Sequence, residues 1–438
     1  MKKLLLIAAV TMLITATVFA GGRRDENSIH IGATITQEGA FAIVGVPYAL
    51  FFRAFVDYIN HSPNYAELLR GRTLRYTIYD DRGDGAAGRA LIERLIHDDR
   101  VDALVGVLGT WNLIAARSIL ETVGIPSVYF GTGSSAQVFE PAVGNQRFMM
   151  GVQPNYITEG RHMYLRAVTH FENVRTIGVV HSTSDDGMSF RAGIERQHSE
   201  DTRPNRPNII FQPISTTDAA AIAPQIMAVQ NSDVIIAAGN QGFFRAIYSA
   251  VYANSISRPR PVITSYVNAS PTTVPSEATN PDAGPIYAMS WIPMSEADPD
   301  SPDAQRRFSD AQEFLRVVDW AVSRGRIPAS QREAFYVNPF AISAFIAVRT
   351  FLTGLERLNE EGLEFSSENF LRVMESRPVP IALSGSVDLR DGLRIGLDTL
   401  AFVRYHPPLD GSRDPVGGFF FEVEPMASIY DILKKLYQ

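Results

Sequence analysis

The chain has 438 residues, 45% of them hydrophobic and 20% charged, with a net charge of −7 at pH 7. These proportions are ordinary for a globular protein, the length suits two or three cores rather than one, and no basic run is present to meet nucleic acid. The absence of cysteine excludes disulfides, zinc–thiolate sites, iron–sulfur clusters and a cysteine nucleophile.

Met1–Ala20 has the pattern of a secretory leader. Lys2-Lys3 is a basic start, Leu4–Val18 an apolar run, and Val18-Phe19-Ala20 places small residues before a cleavage point. The run is short for a transmembrane anchor. Loss of Lys2 and Lys3 with the leader takes the net charge from −7 to −9. The expected location is the periplasm, without the N-terminal cysteine that a lipoprotein needs. Gly21–Asn27 reads as a polar tail.

From Ser28 to about Ser270 a strand–helix alternation runs twice. Apolar, β-rich runs predict strands at Ile29–Ile35, Arg75–Tyr79, Ala103–Val107, Ile125–Phe130 and Phe148–Val152, then at Thr176–His181, Ile209–Pro213, Val234–Ala238, Val262–Tyr266 and Ile286–Trp291. Helices are expected between them, among them Val44–Asn60, Ala86–Asp98, Leu113–Val123, Asn155–Phe171, Met188–Ser199, Asp218–Gln230 and Phe243–Asn254. Beyond a Pro-rich stretch come helices at Ala304–Arg324, Ala341–Asn359 and Asn369–Ser376. Ala382–Val387 and Leu400–Tyr405 read as an antiparallel pair turning at Asp391-Gly392, and Phe419–Val423 as a last strand. The fold class is therefore α/β: two open parallel-sheet, Rossmann-like lobes, with residues 28–153 and 293–378 in lobe one, and 154–292 and 379–438 in lobe two. Crossovers are expected near Val152–Asn155, Trp291–Met294 and Arg377–Ile381. Such sheets bind ligands outside the carboxyl ends of their strands, so two facing lobes imply a cleft.

Several passages resemble the leucine/isoleucine/valine-binding family of periplasmic solute-binding proteins, type I fold. They are Ile31-Gly32-Ala33 with Thr36-Gln37-Glu38-Gly39-Ala40, Tyr79-Asp80-Asp81-Arg82-Gly83-Asp84, and Val105-Gly106-Val107-Leu108-Gly109-Thr110. The run from Gly124-Ile125-Pro126 through Gly131-Thr132-Gly133-Ser134-Ser135 to Gly151-Val152-Gln153-Pro154-Asn155-Tyr156 and Glu159-Gly160 is the closest. The likeness covers about residues 28–360. It implies that lobe-one loops hold a ligand carboxylate or similar acceptor through hydroxyls and the N–H groups of helix starts. That points to Gln37, Glu38, Gly109, Thr110, Thr132, Gly133, Ser134 and Ser135, although Thr110, Ser134 and Ser135 equally suit simple capping. Trp111 either stacks on a ligand or packs on its neighbouring helix.

Lobe two departs from the amino-acid-binding pattern. Ser184-Asp185-Asp186-Gly187 stands where amino-acid members carry an aromatic, and Tyr266-Val267-Asn268 where they carry the acid that meets the ligand's ammonium. Asp185 or Asp186 either replaces that acid or caps a helix. Asn240 and Gln241 form an amide pair suited to a donor or an acceptor, or a polar turn; Tyr156 and Tyr266 complete the candidates.

Gly131-Thr132-Gly133 lacks the lysine of a phosphate loop, no Gly-x-Ser-x-Gly elbow is present, and the scattered histidines suggest no metal site. Asp80-Asp81 and Asp98-Asp99 read as surface carboxylates, solvated or capping. The resemblance thus implies a non-enzymatic, cofactor-free monomer that captures a small carboxylate-, amide- or amino-acid-like solute and delivers it to the membrane permease of an ABC importer. A sensing module of the same fold is the alternative, and a secreted α/β enzyme is further off.

Overall fold

The structure, a computed structural model, describes residues 27–254, 259–293 and 298–437. The expected leader, nearly all of the polar tail, and Met294 lie outside the described residues. Strands buried on both faces read as near-continuous apolar runs, and the first five assemble one such sheet: β1 (Ser28–Thr34), β2 (Thr73–Tyr79), β3 (Ala103–Leu108), β4 (Ser127–Gly131) and β5 (Met149–Met150). All pairings are parallel, in the order β2-β1-β3-β4-β5.

Between these strands run α1 (Ala42–His61), the single-turn α2 (Ala66–Leu69), α3 (Gly85–His97) and α4 (Thr110–Val123). The carboxylate of Asp84 accepts from the Ala87 N–H at 2.7 Å and so starts α3. Arg82-Gly83-Asp84 forms the end of the loop between β2 and α3.

The second sheet holds β6 (Thr176–Ser182), β7 (Asn208–Ile214), β8 (Val234–Ala238), β9 (Val262–Thr264) and β10 (Ile286–Ser290), mutually parallel. Its helices are α5 (Tyr156–His170), α6 (Asp185–Glu200), α7 (Ala223–Val229) and α8 (Gly242–Asn254). The helix expected from Asp218 starts later, because Asp218 accepts from the Ala220 N–H at 2.9 Å and closes a turn ahead of α7. Lobe one is completed by α9 (Pro302–Ser323), α10 (Arg332–Tyr336), α11 (Pro339–Glu360) and α12 (Ser367–Glu375). Helices α1 and α11 are long and apolar enough to span a membrane; here they pack on each other in the core of lobe one.

The last sixty residues differ from the expected pattern. Ser386–Val387 (β12) pairs only with Val379–Pro380 (β11), whereas β13 (Thr399–His406) lies between β10 and β14 (Phe419–Ser428) and antiparallel to both. Strand β14 outruns the expected Phe419–Val423, and α13 (Ile429–Leu436) follows it. The Asp391-Gly392 turn exists, yet it joins no strands. The segment after it pairs with Phe139, the Arg394 N–H donating to the Phe139 carbonyl at 3.0 Å. This keeps residues 389–394 on lobe one. The third passage to the second sheet thus runs through Ile395–Asp398 rather than Arg377–Ile381.

Candidate functional site

A cavity of about 510 Å³ opens between the carboxyl ends of the two sheets, within the range of ligand pockets in general. Lobe one contributes the β3–α4 loop, the start of α1 and the turn between α10 and α11. Lobe two contributes the loops after β8 and β9. Gln153, Trp291 and Ile292 from the crossovers line its back.

Beside the lining residue Tyr48, the neighbouring strands β3 and β4 both leave extended geometry at one level. Gly106 has φ of +74° and Tyr129 has φ of +61°, and a side chain on Gly106 would meet the Tyr48 hydroxyl at 2.5 Å. Strain of this kind in a buried tyrosine collects at functional sites. The Tyr129 hydroxyl accepts from Gln153 Nε2 at 2.8 Å. The Gln153 Oε1 atom in turn accepts from the Tyr266 hydroxyl at 3.5 Å, so a crossover side chain ties β4 of lobe one to the loop after β9 in lobe two.

Of the sequence candidates, Gly109, Thr110, Trp111, Tyr156, Asn240, Gln241 and Tyr266 line this cavity. Gly109 has φ of +102° and leaves room for the Trp111 ring, which a Cβ there would meet at 2.5 Å. The ring faces the cavity, packs on Phe41 at 4.6 Å between centroids, and donates its indole N–H to Asp81 at 3.3 Å. The hydroxyls of Thr110 and Thr132 share a hydrogen bond of 2.6 Å. Burial raises the Tyr156 phenol, and the Gln241 N–H is held by the Asn268 side-chain oxygen at 2.7 Å.

The other candidates lie outside the lining, each with a protein partner. The backbone N–H of Gln37 donates to Asp80 at 2.9 Å, and its side-chain oxygen accepts from Arg53 at 2.9 Å. Glu38 pairs with Arg82 at 3.4 Å on the surface. Thr132 accepts from the Ser134 N–H at 3.0 Å. Gly133 accepts from the Tyr156 N–H at 2.7 Å, and Ser135 opens a 3₁₀ turn.

Asp185 and Asp186 also lie outside the lining. Asp186 accepts from the hydroxyls of Ser182 and Ser184 and from the Asn240 N–H at 3.1 Å. Asp185 accepts from the buried Ser134 hydroxyl at 2.9 Å, lobe to lobe. If that link forms only on closure, Ser134→Ala weakens ligand binding by about 0.5–1.5 kcal/mol. Calorimetry with a bound ligand checks it, and unchanged affinity would mean that the link persists in the open form.

Sequence reasoning misplaced Asp81 and missed several lining residues. Asp81 is fully buried, not a surface carboxylate. Besides Trp111 it accepts from the Thr36 hydroxyl at 2.5 Å, the Asn112 amide at 2.7 Å and the Gly83 N–H at 2.7 Å, as a buried polar group requires. Tyr48, Trp291, Phe340 and Phe419 also line the cavity. Only the rarity of tryptophan, with three in the chain, draws attention to Trp291 at the end of β10. Among the described residues, none that lines the cavity is charged.

Two parallel-sheet lobes that enclose a small-molecule cavity at their facing strand ends define a two-lobe ligand-binding protein. A sequence model of the periplasmic binding protein family matches residues 28–405. The chain belongs to that family.

Solved structures share the fold. One is a branched chain amino acid ABC transporter protein from Thermus thermophilus with bound valine, with TM-score 0.68 and 13% identity over 94% of this chain and 99% of that one. Another is a fatty acid ABC transporter substrate-binding protein from Thermomonospora curvata, with TM-score 0.65 and 14% identity over 92% and 93%. A third is a solute binding protein from R. palustris in complex with 4-hydroxybenzoate, with TM-score 0.66 and 14% identity over 92% and 97%. No curated protein matches the chain in sequence.

Proposed function

We propose that the chain is the periplasmic substrate-binding component of an ABC-type importer, exported by its leader, and that it captures a small organic solute and hands it to the permease. The observation that carries the ligand class is that none of the described lining residues is charged. An ammonium buried without a carboxylate partner is expensive, which disfavours an amino acid. A carboxylate or amide head on an apolar body needs only neutral donors such as those of Thr110, Asn240 and Gln241. Fatty acids and 4-hydroxybenzoate, named for two of the structural neighbours, have this character, while valine does not. No bond is made or broken; burial between the lobes supplies the affinity, and closure excludes water.

The lobes would close about Val152–Asn155, the segment after Trp291, and Ile395–Asp398. Native mass spectrometry of protein purified from its host should identify a copurified molecule without an amino group. Small-angle scattering should show compaction when that molecule is returned to stripped protein. Deleting the gene should abolish its uptake. Uptake that persists, with loss of a transcriptional or motility response, would replace transport by sensing. N-terminal sequencing should begin at Gly21.

A further inference from the structure

The stretch of chain beyond residue 405 lies outside the span of the family match, yet it reaches the site. The β13–β14 hairpin forms the edge of the second sheet, and Val416, Gly418, Phe419 and Phe420 from it join the cavity lining. It is held firmly. The Tyr405 hydroxyl donates to the Pro415 carbonyl at 2.9 Å, and Phe420 packs on Tyr405 at 5.5 Å. The Arg166 guanidinium on α5 pairs with Glu424 and donates to the Pro425 carbonyl at 3.1 Å.

Val337 and Phe340 of lobe one line the same cavity. Val337 is 74% exposed, Val416 57%, Phe419 41% and Phe41 41%, although all four line the cavity. Exposed apolar groups gathered around one opening mark a binding groove. Polar atoms without a partner lie elsewhere in the same lining: the Tyr48 hydroxyl, on a fully buried side chain, and the Asn240 side-chain oxygen.

We infer that the hairpin makes the cavity amphipathic along its length, with a polar head group held among Tyr48, Thr110 and Asn240 and an elongated alkyl or aryl tail lying between Phe419–Val416 and Val337–Phe340. This deepens the importer reading and rests on its site. The ligand class is an amphipathic acyl or aryl compound longer than an amino acid, and Phe419 and Val416 set its length.

Two probe series test this on the full chain: straight-chain carboxylates from butyrate to dodecanoate, and the matching primary amides. Binding is read by the fluorescence of the cavity tryptophans Trp111 and Trp291. Affinity should rise by up to about fourfold per added methylene until the tail leaves the rim. Phe419→Ala and Val416→Ser, alone and combined, should flatten that rise for long probes and leave short ones unchanged. Leu409→Ala should change nothing, since Leu409 is 82% exposed on the same hairpin and outside the lining. Melting temperature confirms that each variant folds. Affinity independent of chain length, or an equal rise in the rim variants, would overturn the assignment. A normal chain-length rise in a protein whose deletion leaves uptake intact would overturn the importer reading and keep this one.

Discussion

Replacing Arg394 by alanine is expected to destabilise the folded chain by about 3–5 kcal/mol, the range for breaking a buried ion pair from one side. Arg394 is fully buried. Its guanidinium donates to the carbonyls of Leu389 at 2.9 Å, Leu393 at 2.6 Å and Arg147 at 3.0 Å, and to the Glu375 carboxylate at 2.5 Å. Its backbone also pairs with Phe139. One side chain therefore ties the segment before the third crossover to the end of α12 and the approach to β5. Alanine would leave three carbonyls without that donor, and Glu375 with only Arg147. Arg394→Met separates lost volume from lost hydrogen bonds and should restore only a minor part. Chemical unfolding is the measurement, with the midpoint shifting and the slope unchanged. A loss below about 1 kcal/mol would show that the segment is held mainly by packing.

Much of the fold was legible because its strands are buried on both faces. Val234–Ala238 and Ala103–Val107 are unbroken apolar runs, bounded by turns and followed by helical periodicity. The end of the chain was not. Strand β14 carries Pro425, which usually ends a strand, but at a sheet edge its missing N–H costs little. The turn at Asp391-Gly392 suggested a hairpin, and only the distant partners of Arg394 show that it belongs to lobe one.

The site divides in the same way. Thr110, Trp111, Asn240 and Gln241 follow strand ends and face the cavity. Ser134 and Asp185 occupy equivalent positions but face each other across the lobes, and local sequence does not distinguish those two orientations. Tyr48 and Phe340 sit on helices whose periodicity reads as core. Asp81 looked like a surface acid because its partners, Thr36 and Asn112, are far from it in sequence.

The second large effect is a pH dependence that passes through Glu159. This carboxylate on α5 is fully buried and accepts from the Tyr266 N–H at 2.6 Å and the Ser265 hydroxyl at 3.0 Å. Burial outweighs those two bonds and pushes the group up from 4.5 to about 8. The folded chain therefore keeps a proton where an unfolded glutamate has lost it. Stability from this group is complete below about pH 4.5 and falls as pH rises toward about 8, by up to about 1.4 kcal/mol per pH unit. His162, one turn along α5, acts in a different window. Burial lowers it from 6.5 to about 3, so its contribution is lost as pH falls below 6.5. Glu159→Gln stays neutral throughout, and its amide still meets Ser265 and Tyr266. Between about pH 6 and about pH 9 the wild-type melting temperature should fall relative to that of the Gln variant. Because Tyr266 lines the cavity, ligand affinity should weaken with it in the wild type and hold in the variant. Parallel pH profiles for the two proteins would mean that Glu159 is ionised in the folded chain across the whole range, held by the N–H of Tyr266 and the hydroxyl of Ser265.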